Sequence, residues 1–144
     1  MAQYIPSPRD WVREQVEAYE SSGGTEGLTL RDTGLPVIIV TCNGNKTGAI
    51  RKVPLMKVMD GDAYVLVGSQ GGSPKNPVWV YNLRADSNVE IQDETVVHKM
   101  RTREVEDEAE RQRLWDISAA AFPPYTEYQG RTTRKIPVFI AEPV

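Results

Sequence analysis

The chain has 144 residues, a length that fits one domain able to bury a core without disulfide staples. Its 40% hydrophobic and 26% charged content is ordinary for a soluble globular protein, and no apolar run is long enough to cross a bilayer. A net charge of −3 argues against general nucleic-acid binding. The lone cysteine, Cys42, cannot form an intrachain disulfide, and no secretory leader is visible, so a cytoplasmic protein is expected.

Residues 8–21 read as a helix, because Trp11, Val12, Val16 and Tyr19 recur at helical spacing after a candidate cap, Ser7, and Pro8. The stretch 21–25 is a Ser/Gly link, and 28–35 is short and irregular. Val37 to Thr41 is a β-branched run of the kind found in buried strands. The turn formers of 43–48 separate it from a second strand, Arg51 to Met59. There Val53, Leu55, Lys57 and Met59 alternate with Lys52, Pro54, Met56 and Val58. Pro54 places this strand at an edge or a bulge. Asp60-Gly61 turns the chain into Ala63 to Gly68.

A glycine-rich loop, 68–75, precedes a short helix over 77–84, with Asn76 a candidate cap and Pro77 at the first helical position. Val89 to Gln92 and Val96 to Val105 are two further strands. Asp107 to Ala121 is a helix with acids in its first turn, which Pro123-Pro124 stops. Tyr125 to Arg131 is a short helix or loop, and Ile136 to Ala141 a closing strand. Strands and helices do not alternate regularly, so a doubly wound parallel sheet is not expected; a small antiparallel barrel flanked by helices is.

Charge is unevenly spread. Residues 33–85 carry two acids and six bases, +4, while 86–116 carry ten acids and five bases, −5. A basic island in an acidic chain can attract a small anionic ligand. Two loops within it have suitable chemistry. In 43–48, Gly48 opens the backbone while Lys46, Thr47 and nearby Arg51 supply charge and a hydroxyl, as a phosphate requires. In 68–75, three glycines allow close approach to a planar ring. The stretch Phe122 to Tyr128 brings aromatics that can line a pocket. No metal site is expected: His98 is the only histidine and Cys42 has no CxxC partner. Hard chemistry, if any, falls to a cofactor.

Three segments together resemble the deazaflavin-dependent nitroreductase family. They are Asn45-Lys46-Thr47-Gly48 with Arg51 and Pro54-Leu55; Gly68-Ser69-Gln70-Gly71-Gly72 with Lys75-Asn76-Pro77-Val78-Trp79 and Asn82-Leu83; and Tyr125 to Gln129 with Arg134 to Phe139. The resemblance implies an α+β split β-barrel, mainly β with flanking helices and related to FMN-binding barrels, spanning 1–144 with residues 1–24 as N-terminal helix and linker. It implies an actinobacterial origin and hydride transfer from reduced coenzyme F420 to an organic acceptor: an activated alkene such as a coumarin- or aflatoxin-type lactone, a quinone or a nitroaromatic. By the same resemblance Lys46, Thr47, Gly48 and Arg51 meet the phosphate and acidic tail. Val53, Pro54 and Leu55 flank the ring; Gly68, Ser69, Gln70, Gly71, Gly72 and Lys75 wrap it; Pro77, Trp79 and Asn82 support it. Ser69, Tyr125 and Tyr128 face the acceptor as catalytic candidates. The family pattern departs at Asn45, often basic, and at Val80-Tyr81, often an aromatic and a histidine.

Two alternatives accompany this reading. One is a non-catalytic module that carries F420 or binds FMN. The other is a membrane-associated quinone reductase, suggested by Trp11 on an amphipathic helix, although Asp10, Glu14, Glu17 and Glu20 would be repelled by anionic lipid. A monomer or a homodimer is compatible with either.

Overall fold

Seven strands form one antiparallel sheet that curls back on itself. The computed structural model describes residues 3–30 and 33–144, so Arg31 and Asp32, in the irregular 28–35 stretch, lie outside the described residues. In chain order the elements are α1 (Asp10–Ser21), β1 (Val37–Asn43), β2 (Ile50–Met56), β3 (Met59–Asp60), β4 (Ala63–Val67), a 3-10 turn (Gln70–Gly72), α2 (Val78–Ala85), β5 (Asn88–Asp93), β6 (Val96–Glu104), α3 (Glu108–Ala121), α4 (Pro124–Gly130) and β7 (Val138–Pro143). The strand order is β2-β1-β5-β6-β7-β4-β3, and β2 also approaches β4, so the two ends of the sheet draw together as a split barrel.

Both faces of the sheet are covered, which explains the unbroken apolar run of β1. Val37 and Ile39 join one core with Val16, Tyr19, Leu114 and Phe122, under α1, α3 and the aromatic segment. Ile38 and Val40 join the other with Trp79, Val80, Leu83 and Phe139, under α2. Each such side chain, fully buried, contributes roughly 1.5–3 kcal/mol. The alternation read in the second strand sorts the same way. Met56 and Val58 enter the first core; Val53, Leu55 and Met59 pack against the second.

Several boundaries move for identifiable reasons. The expected strand 51–59 breaks after Met56, and β3 resumes at Met59 before the turn at Gly61, whose φ is +64°. Pro54 pairs with Ile39 on β1 and lies on the terminal strand of the sheet, where no second partner needs its absent N–H. Ser7 does not occupy the cap of α1: its hydroxyl accepts the Arg9 N–H at 3.2 Å, one residue outside the helix. Asn76 does not cap α2 either. Its side-chain oxygen accepts from Arg134, and Pro77, at φ −60°, takes the cap position. Asp107 is the cap of α3 and accepts the Glu110 N–H at 2.9 Å. The Pro123-Pro124 pair ends α3 and also opens α4, with Pro124 at its first position.

Candidate functional site

A cleft of about 720 Å³ runs along β2. Its floor is Arg51 to Met56. One wall is the glycine loop with the start of α2, through Ser69, Gln70, Gly71, Ser73, Pro77 and Trp79. The N-terminal arm, through Ser7, Pro8, Arg9 and Trp11, and the aromatics Phe122, Tyr125 and Tyr128 line the cleft as well. The basic strand and the glycine loop therefore line one groove.

Each sequence-predicted residue has a definite place. Arg51, Val53, Pro54, Leu55, Ser69, Gln70, Gly71, Pro77, Trp79, Asn82, Tyr125 and Tyr128 line the cleft. Lys46, Thr47, Gly48, Gly68, Gly72 and Lys75 do not. Lys46, Thr47 and Gly48 are exposed in the β1–β2 turn, and the Thr47 hydroxyl accepts the Ala49 N–H at 3.2 Å. That turn is fastened to the cleft by Asn82, which is 2% exposed and whose side-chain oxygen accepts the Asn45 N–H. Lys75 is exposed beyond the loop. Gly68 and Gly72 are packed behind it: a Cβ on Gly68 would lie 2.8 Å from Val80, and one on Gly72 2.6 Å from the Tyr128 carbonyl oxygen.

The electrostatics of the lining are uneven. Lys52 is engaged by Glu20 of α1 and sits over the Tyr4 ring. Arg51 and Arg9 also line the cleft, and neither forms an ion pair among the described residues. Tyr125 is 5% exposed and packs edge-on against Phe122 with centroids 4.9 Å apart. Burial, reinforced by neighbouring Tyr128, pushes the Tyr125 phenol well above its ordinary range, so it stays protonated at neutral pH. Burial likewise raises the Cys42 thiol, whose sulfur accepts from the Asn82 amide at 3.8 Å.

Two parts of this site received no site role from the sequence. The arm reaches the cleft because Gln3 and Ile5 pair with Ile50 at the start of β2, which carries Ser7, Pro8, Arg9 and Trp11 along the groove. Trp11 thus belongs to a cleft wall, and the apolar side of α1, Val12, Val16 and Tyr19, is spent on the core. Arg134 is the second. Its guanidinium holds the glycine loop from behind, donating to the carbonyls of Gly68 (3.1 Å), Ser69 (2.7 Å) and Ser73 (2.8 Å) and to the Asn76 side chain (2.8 Å).

A split barrel whose cation-bearing strand and glycine loop line one partly apolar groove suits a flat, anionic ligand. The sequence profile of the F420H(2)-dependent quinone reductase family matches residues 11–143, and the chain belongs to that family of F420H2-dependent oxidoreductases. It is 36% identical, over 73% of its length and 72% of the relative's, to a Mycobacterium tuberculosis (strain ATCC 25618 / H37Rv) protein named as an F420H2-dependent quinone reductase. Two solved structures share 44% identity with it. One, described as a domain-swapped dimer, superposes with a TM-score of 0.72 over 94% of this chain and all of its own. The other, an F420H2-dependent reductase, gives 0.69 over 74% of this chain and 94% of its own.

The residues present fit reduced F420. The groove pairs apolar lining at Val53, Leu55 and Trp79 with cations that have no acid partner among the described residues, which suits a planar ring attached to a phosphate and an acidic tail.

Proposed function

We propose that this cleft binds F420H2 and that the chain reduces a quinone-type acceptor by hydride transfer. The observation that carries the reading is the convergence of Arg51 to Leu55 and Ser69 to Gly71 on one groove, with Arg51 free of any ion pair among the described residues. Bound F420H2 supplies the hydride from its ring carbon. Val53, Pro54 and Leu55 support one side of the ring and Ser69 to Gly71 the other. Arg51 draws the phosphate, with Lys46, Thr47 and Gly48 of the adjoining turn, and Lys75 beyond the loop, available to the acidic tail. Gly68 and Gly72 set the loop's path, and Pro77, Trp79 and Asn82 buttress it.

The acceptor lies toward Ser69, Tyr125 and Tyr128. Tyr125, protonated at neutral pH, donates a hydrogen bond to the acceptor oxygen, and the proton that must follow the hydride comes from water, directly or through Tyr125, Tyr128 or Ser69. Phe122 and Tyr128 add aromatic surface to the lining beside the reacting atoms. Orientation of the two partners is the main contribution of the protein.

Activated alkenes, including coumarin- and aflatoxin-type lactones, and nitroaromatics are further acceptors of the same reading. We place the enzyme in the cytoplasm, as one unit over 1–144. We take it as a homodimer, by analogy with the domain-swapped relative, with a monomer the alternative. No helix among the described residues is long and apolar enough to cross a membrane. Purified protein mixed with F420H2 and menadione should reoxidise the cofactor. Tight F420 binding without turnover on any acceptor would leave a carrier, and tighter FMN than F420 binding would overturn the cofactor assignment.

A further inference from the structure

Arg134 makes a contact set that nothing in the proposed chemistry yet uses. Four hydrogen bonds run from one guanidinium to the 68–76 segment, whose partners are 58 to 66 residues away in sequence. They capture the backbone oxygens of Gly68, Ser69 and Ser73. The corresponding N–H groups behave differently. Gly68 N–H is held by Pro137, Gly72 N–H by Ser69 and Ser73 N–H by Gln70, but those of Ser69, Gln70 and Gly71 have no acceptor among the described residues. These same three residues form part of the cleft wall.

The backbone explains the pattern. Ser69 is right-handed at φ −75°, ψ −41°, while Gln70 and Gly71 are left-handed at φ 44° and 63°. A right-handed residue followed by a left-handed one turns consecutive N–H groups toward a common point, a concavity that receives electron-rich oxygen or an anion. Gln70 is a non-glycine residue at positive φ, so the conformation needs an external hold. Arg134 provides it. No acidic side chain pairs with Arg134 among the described residues, so its positive charge stands behind the loop uncancelled.

Resting on the F420 reading, we propose that Arg134 is the positioning residue of the cleft: it fixes the Ser69-Gln70-Gly71 backbone so that its free N–H groups receive the carbonyl-bearing edge of the deazaflavin ring. Arg134 itself does not touch the ring; it acts through the loop. A planar fork spanning four acceptors cannot be replaced by an ammonium, which makes Arg134→Lys the informative variant.

The test compares Arg134→Lys and Arg134→Ala with the wild-type chain in two measurements. The first is amide hydrogen exchange without ligand. Gly72 and Ser73 should exchange about tenfold faster in both variants, while Val80 and Phe139 keep wild-type protection, since losing bonds of this kind is worth about a factor of ten. The second is an absorbance titration with F420. Affinity should fall about tenfold or more in both variants, and added guanidinium ion should restore much of it to Arg134→Ala. In turnover, the F420 concentration at half-saturation should rise, and by more than KM for menadione. Wild-type exchange and wild-type F420 affinity in Arg134→Lys would overturn the proposal, as would an Arg134→Ala defect that guanidinium leaves untouched. A wild-type chain that fails to bind F420 would instead overturn the cofactor reading, with the exchange measurement still deciding whether Arg134 braces the loop.

Discussion

The side-chain oxygen of Asn82 accepts the Asn45 N–H at 3.0 Å and so ties the exposed β1–β2 turn to helix α2. Asn82 is 2% exposed, and its amide also reaches the Cys42 sulfur at 3.8 Å. One buried side chain thereby sets the distance between the two halves of the proposed cofactor site. Asn82→Leu should cost about 0.5–1.5 kcal/mol of stability, the net worth of an ordinary hydrogen bond, because the exposed Asn45 N–H loses its partner but can turn to water. It should also weaken F420 binding. Thermal melting and an F420 titration measure the two effects separately, and an unchanged titration would mean that the turn does not meet the ligand.

Arg51 and Lys46 offer a contrast between a lining cation and a peripheral one. Arg51 lines the cleft, whereas Lys46 is exposed in the turn outside it. Arg51→Ala should weaken F420 binding by about 1–3 kcal/mol, the scale of a charge-assisted hydrogen bond. Lys46→Ala should cost less and lose its effect in high salt. Equal effects for the two variants in a titration series would show that the phosphate sits at the turn.

Glycine replacements in the second loop should separate by what lies behind each one. At Gly72, φ is +79° and a Cβ would sit 2.6 Å from the Tyr128 carbonyl oxygen, so Gly72→Ala combines backbone strain with a backbone clash. At Gly71, φ is +63° but the space is open, leaving only the strain of roughly 1–2 kcal/mol. Chemical denaturation should rank Gly72→Ala as the more damaging, and a reversed order would contradict the packing of the loop against α4.

The buried phenol of Tyr125 predicts an alkaline weakness. Burial raises its folded-state pKa above the ordinary value of 10.0. A group raised in this way contributes stability that is intact below its unfolded pKa and lost as pH climbs from there through the folded one. Wild-type stability should therefore decline above about pH 10. Tyr125→Phe should reduce that decline, though Tyr64, raised by burial and by its hydrogen bond to Asp93, keeps part of it, as do Tyr4, Tyr19 and, from its ordinary value of 9.0, Cys42, all raised by burial. Urea midpoints between pH 8 and 11 provide the comparison.

Much of this layout is legible in the chain because it is local. The β-branched run at Val37 announces a strand buried on both faces, and the alternation from Val53 to Met59 is the pattern that sorts those side chains between the two cores. Pro54 marks the edge. The convergence of strand and glycine loop is readable only through family resemblance, since no periodicity reports which loops meet. The misplacement of Asn76 has a plain cause: an Asn before a Pro looks like a cap, and its competing partner, Arg134, lies 58 residues away. The arm across the cleft is hidden for the same reason. It depends on Gln3 and Ile5 meeting Ile50, a pairing too short to leave a pattern.

The terminal position of β2 has one more consequence. A bare sheet margin invites strand addition from a neighbouring molecule and, with it, fibril growth. Pro54 interrupts that margin with a residue that cannot donate, and the Gln3–Ile5 segment already occupies the donor and acceptor of Ile50. The opposite margin, β3, is only two residues long. Deleting the first residues should therefore do more than open the groove: it should leave a template for aggregation, visible as light scattering in a truncated protein that still melts cooperatively.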